Sequence, residues 1–197
     1  MSRVLPILFN TDMVRAILGN RKAVTRRIIK DNVVGVLNSP YHKEHPEVPD
    51  KLLLRKLCNA PYDHGDILYV RESWAQTTDL FGEFKEYIYR ADHAPATTTW
   101  RPSIHMPRDA ARIWLKVTDV KVERLQSMTL DNFLEEGITL RPETFNDPDN
   151  AYMVARNKFI KIWNSTIPKG QQNLYNFEAD PWVWVIEFER CEKPEEE

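Results

Sequence analysis

The chain has 197 residues, 42% of them hydrophobic, which is enough for one substantial core and demands no second domain. A net charge of −2 and a pI of about 6.2 exclude nucleic-acid binding by bulk charge, so any such contact has to come from a local patch. Two distant cysteines, Cys58 and Cys191, a start without an apolar run, and no stretch near the roughly 20 apolar residues that span a bilayer point to a cytoplasmic chain with no disulfide framework and no membrane partner.

Residues 4–9 read as a first strand, with Pro6 at an edge or bulge because it has no N–H to donate. A short helix follows from Asn10 or Thr11, with Asp12 in its first turn and Gly19-Asn20 as its stop. A turn at 21–23 leads into a β-branched strand that carries Thr25 and Arg27 on one face. Residues 15–30 hold six basic side chains and no acidic one, either a solvated basic edge or a binding patch. Lys22 and Thr25 converge only if the helix-to-strand turn bends the chain between them.

Residues 31–63 form a proline-rich insertion with ordered pieces at 33–37 and 52–57. His42, His45, Cys58 and His64 lack paired-ligand spacing and read as loop residues, so no metal is expected. Gly65-Asp66 makes a turn and 67–70 a strand, after which Arg71, Glu72 and Trp74 form either a rim salt bridge or a pocket lining. Residues 87–92 supply the partner strand. Segment 100–108 offers Trp100, Arg101, Ser103, His105 and Arg108; Trp100 is a candidate stacking platform, or it plugs the core together with Met106.

Residues 113–125 alternate as one bent strand or a hairpin. Thr129 caps a helix at 130–136 that buries Leu130, Phe133 and Leu134 and is closed by Gly137. Glu135 and Glu136 oppose its dipole and call for a cation, with Lys22 or an arginine of the basic stretch as the candidate. A second insertion, 139–180, carries a helix at 151–164. Residues 182–188 form the closing strand, and 191–197 an acidic tail expected to be disordered.

Asn20-x-Lys22-x-x-Thr25-x-Arg27 resembles the G-x-K-x-x-T-x-R signature of the ASCH family, with asparagine in place of the usual glycine, a mild change because asparagine also visits positive φ. Gly65–Glu72, Glu135-Glu136-Gly137-Ile138 and Trp184-Val185-Ile186-Glu187-Phe188 are similar to family segments in the same order. The resemblance covers residues 4–30, 64–138 and 180–190, and segment 100–108 is similar to one in longer, phage-associated members. It implies an α+β fold: a small, mostly antiparallel PUA-like β-barrel with short helices at its mouth and two insertions, in a single decorated domain at 1–190.

With no phosphate-cradling glycine loop, H-E-x-x-H or Ser–His–Asp pattern in the chain, Lys22, Thr25 and Glu136 are the best catalytic set, and no cofactor is expected. One branch of the family hydrolyses N4-acetylcytidine. The resemblance implies Thr25 as nucleophile and Lys22 as its base; by charge, Glu136 would raise the lysine pKa and so is expected to orient the ammonium, and Arg27 to stabilise the oxyanion. Arg21, Arg26, Arg27, Arg71, Glu72, Trp74, Trp100 and His105 are the expected binding residues for RNA or a nucleoside. The alternatives are a non-catalytic module for RNA or a modified base and, third, a phage–host protein whose tryptophan-rich surface binds a protein partner.

Overall fold

Alternation, caps and turn residues set the elements of the computed structural model, which describes residues 2–30, 32–92 and 98–195. Its strands are β1 (Val4–Leu8), β2 (Val24–Ile28), β3 (Ile67–Arg71), β4 (Trp74–Thr78), β5 (Phe84–Tyr89), β6 (Trp114–Arg124) and β7 (Trp182–Cys191). Its α-helices are α1 (Thr11–Leu18), α2 (Val33–Leu37), α3 (Pro40–Glu44), α4 (Asp50–Leu57), α5 (Leu130–Glu135), α6 (Pro148–Thr166) and α7 (Gln172–Tyr175). The fold is α+β. One sheet of five strands runs in the order β1-β3-β6-β7-β2, the other is the β4–β5 hairpin, and neither is closed into a ring. Among the described residues no helix is long and apolar enough to cross a membrane.

The chain divides into two units, one made of residues up to 20, 65–117 and from 188 on, the other of 21–64 and 118–187. In the first unit β1 runs parallel to β3, with Leu5 opposite Leu68, and β3 is antiparallel to the start of β6. Pro6 sits in the end strand of the sheet order, where a missing N–H is tolerated. Asn10 caps α1 by accepting from the Met13 amide at 2.9 Å, and the helix buries Val14, Ala16 and Ile17. Asn20 ends the turn at φ 53, the left-handed conformation expected of it. Trp74, Met106 and Ala110 form a small core under the hairpin, so Met106 is the buried plug of segment 100–108.

In the second unit β2 pairs antiparallel with β7, Thr25 opposite Ile186 and Arg27 opposite Trp184. Its core gathers Val24, Phe133, Phe159, Trp163, Phe177 and Val185 among others. Thr129 and Asn132 form a reciprocal capping box at the start of α5. Phe133 of α5 lies 5.7 Å from the Tyr152 ring and 5.4 Å from the Phe159 ring of α6.

Several expected boundaries move. Residues 113–125 resolve as the single strand β6 rather than a hairpin. Among its described residues the first insertion holds three helices; α3 starts where Ser39 accepts from the His42 amide and Pro40 takes the first turn, where no N–H is needed. Pro148 with the Asp147 cap starts α6 three residues before the expected Ala151. β7 extends to Cys191, into the expected tail, of which Glu196 and Glu197 lie outside the described residues.

Candidate functional site

The second unit concentrates the buried charge. α5 ends against the beginning of β2: the Ala23 amide donates to Glu135 O at 3.0 Å, and Lys22 forms an isolated antiparallel bridge with Glu136. Gly137, at φ 94, lets the chain leave the helix while its amide donates to Leu134 O at 2.8 Å. This docking carries the Lys22 side chain inside, where it is 0% exposed.

Lys22 Nζ donates to Glu136 Oε2 at 2.6 Å, Val24 O at 2.7 Å and Glu136 O at 3.1 Å. Three acceptors match the three donors of an ammonium. Burial pushes its pKa down, Glu136 pulls it back up, and the Arg27 and Arg26 guanidiniums press it down again; the net direction is below the ordinary 10.5. Arg26, whose side chain is 1% exposed, donates from Nη1 to Glu136 Oε1 at 3.1 Å and brings Nη2 to 3.6 Å from Glu123 Oε2. The carboxylate at the unfavourable end of α5 is thus met by two cations.

Strand alternation turns Thr25 and Arg27 to the opposite face of β2 from Val24 and Arg26. Thr25 is buried, and its hydroxyl accepts from Arg27 Nη1 at 3.1 Å; the same nitrogen donates to Arg26 O at 3.3 Å. Burial pushes Arg27 down, while Tyr62 and Glu136 raise it. Arg27 also lines a pocket of about 290 Å³ with Ile28, Lys30, Asn59, Pro61, Tyr62 and Trp184. Arg55 stands 5.7 Å from the Trp184 ring. Exposed Arg21 donates to Gly137 O at 3.5 Å.

The other expected binding residues belong to the first unit. Arg71 donates from Nε to Met106 O at 2.8 Å and from Nη2 to Ile104 O, so its guanidinium ties down segment 100–108. Buried Glu72 takes a two-pronged contact from Arg112, Nε at 2.9 Å and Nη2 at 3.2 Å. Burial pushes the Glu72 carboxyl up against the pull of Arg112. Trp74 is buried, with the Arg101 guanidinium 5.1 Å from its ring and its indole Nε1 without a hydrogen-bond partner among the described residues. Trp100 is half-buried and His105 exposed.

Sequence reasoning misses Arg112, which also covers the Tyr89 ring at 3.9 Å and pairs with Asp92 at 2.7 Å. It misses Asn59 and Tyr62 as pocket walls and Glu123 as the second partner of Arg26. No periodicity or motif marks these residues. His42 pairs with Asp50 at 2.9 Å and His45 with Glu47 at 3.1 Å. No group of three or more metal-ligating side chains occurs among the described residues.

No family model matches this chain, and no curated protein matches it. Among solved structures it is similar to an ASCH domain from Lactobacillus crispatus JV V101, at 12% identity and a TM-score of 0.40, over 95% of this chain and 79% of that one. It is also similar to protein EF3133 from Enterococcus faecalis V583, of family DUF984, at 10% identity and a TM-score of 0.41, over 97% and 77% of the two chains. At these TM-scores the functional reading rests on side-chain geometry instead.

Proposed function

We propose that this protein binds an N-acylated nucleobase, in a nucleoside or in RNA, at the pocket beside Arg27 and hydrolyses its amide, with N4-acetylcytidine as the concrete substrate. The observation that carries this reading is the double engagement of Arg27, which lines the pocket and donates to the buried Thr25 hydroxyl at 3.1 Å. A guanidinium in that place favours an alkoxide at Thr25 and an oxyanion next to it. Lys22 Nζ reaches the Val24 carbonyl, one peptide unit from Thr25, and its lowered pKa suits a base. A PUA-like architecture and contacts from Arg21 to RNA are part of the same proposal.

In this scheme Thr25 Oγ1 attacks the acyl carbon while its proton passes through a water to the neutral Lys22 amine, whose Nζ meets Glu136 and the Val24 carbonyl. Arg27 stabilises the resulting oxyanion. Collapse breaks the C–N bond, and Lys22 returns the proton to the departing amine. Water then cleaves the Thr25 ester, releasing the carboxylate and restoring the hydroxyl.

A second reading, a binding module without chemistry, is favoured by the saturation of Lys22 Nζ with three acceptors. Incubation with N4-acetylcytidine separates the two. The hydrolase reading expects cytidine and acetate from the wild type and none from Lys22→Met or Thr25→Val. No release from any N-acyl nucleoside, with a base or RNA still bound, supports the module.

A further inference from the structure

Arg26 is an expected substrate contact, yet its side chain is 1% exposed and committed to carboxylates. Glu136 divides its two oxygens, Oε2 taking Lys22 at 2.6 Å and Oε1 taking Arg26 at 3.1 Å. Arg26 reaches Glu123 at 3.6 Å with Nη2, while its buried Nε has no hydrogen-bond partner. A buried guanidinium with an unbonded N–H is unfavourable, and a hydrocarbon side chain of similar volume is often the more stable choice at such a place. Stability alone does not account for an arginine here.

We propose that Arg26 is a positioning residue that acts on Lys22 through Glu136, holding Oε1 so that the carboxylate presents Oε2 to the amine in one orientation and with part of its charge cancelled. The role rests on the hydrolase reading, in which Lys22 is the base. The charged groups that bear on Lys22 are Glu136, at the end of α5, and Arg26 and Arg27 on β2. Glu136 alone would fasten the proton to Lys22. Arg26 competes for the same carboxylate and also repels the ammonium, so both of its actions make deprotonation easier. Glu123, at 36% exposure, tempers Arg26 from the solvent side.

The test compares wild type, Arg26→Gln, Arg26→Lys and Glu123→Gln by two measurements on the full chain. The first is the pH dependence of kcat/KM on N4-acetylcytidine, and the second is the titration of the Lys22 side chain followed by NMR. Arg26→Gln should move the acid limb and the Lys22 titration to higher pH and lower turnover at neutral pH by roughly tenfold, the rate equivalent of a coupling near 1.4 kcal/mol. Arg26→Lys should restore much of the loss. Glu123→Gln should move both curves the other way, and it decides the matter if Arg26→Gln does not fold. An active wild type whose limb is unmoved in Arg26→Gln overturns the positioning role while leaving the hydrolase intact. A wild type with no turnover removes the hydrolase reading, and a Lys22 titration identical in wild type and Arg26→Gln then overturns the coupling as well.

Discussion

Replacing Glu136 with glutamine keeps the shape of the site and removes the carboxylate that Lys22 and Arg26 share. In the native cluster the three side chains are 0%, 1% and 5% exposed for Lys22, Arg26 and Glu136, so solvent screens little of the effect. The new amide can accept from one cation through its oxygen but must face the other with its NH2. If both cations stay charged, the loss is that of an uncompensated buried charge, about 3–5 kcal/mol. Lys22 has an escape: as a neutral amine it can accept from the glutamine N–H while the glutamine oxygen accepts from Arg26, leaving a residual cost of about 1 kcal/mol. Because burial already lowers the Lys22 pKa, this escape opens as pH rises. Urea denaturation followed by tryptophan fluorescence should therefore show a gap between wild type and Glu136→Gln that is about 3–5 kcal/mol where Lys22 is charged and narrows as pH rises toward 10.5. A gap below roughly 1 kcal/mol throughout, or one that widens with pH, refutes the cluster as described.

Further outcomes follow from the same geometry. A lysine whose folded pKa lies below its unfolded value binds fewer protons when folded, so wild-type stability should rise with pH between the lowered Lys22 value and 10.5 relative to Lys22→Met, as chemical denaturation at several pH values can check. Phe133→Ala empties the contact between α5 and α6 and should cost about 3–5 kcal/mol; a thermal midpoint within about 2 °C of wild type speaks against that packing. Asn20→Gly should be neutral or slightly stabilising and Asn20→Ala destabilising by about 1 kcal/mol, since φ is 53 there, and equal stabilities contradict the left-handed turn. Tyr62→Ala should weaken binding of N4-acetylcytidine by calorimetry without changing the far-ultraviolet circular dichroism; unchanged affinity removes the pocket from the scheme.

Part of this site is legible in the amino-acid sequence. A glutamate in the last turn of a short helix calls for a cation, which points from Glu136 to Lys22 or an arginine, and both Lys22 and Arg26 meet it. Alternation puts Thr25 with Arg27, and their side chains are hydrogen-bonded. The same alternation turns Arg26 to the other face, where it meets Glu136. Ser39-Pro40 and Asp147-Pro148 are helix-start signals, and α3 and α6 begin on them rather than at an apolar period. Asn59 and Tyr62 carry no such signal, because loop residues reach a pocket through tertiary packing that leaves no period in the sequence. Arg112 is hidden for the same reason: its partners Glu72 and Asp92 lie 40 and 20 residues away along the chain.

The central claim, that Thr25 is an acyl acceptor hydrogen-bonded to Arg27 and served by Lys22 as base, is tested most directly by acid-quenching the protein during reaction with N4-acetylcytidine and mapping acetyl groups by mass spectrometry. The predicted result is an acetyl ester on Thr25 in wild type, accumulating when deacylation is slow, and no adduct or cytidine release in Thr25→Val. Cytidine release that persists in Thr25→Val, or a wild type that binds the nucleoside without ever releasing cytidine, contradicts it.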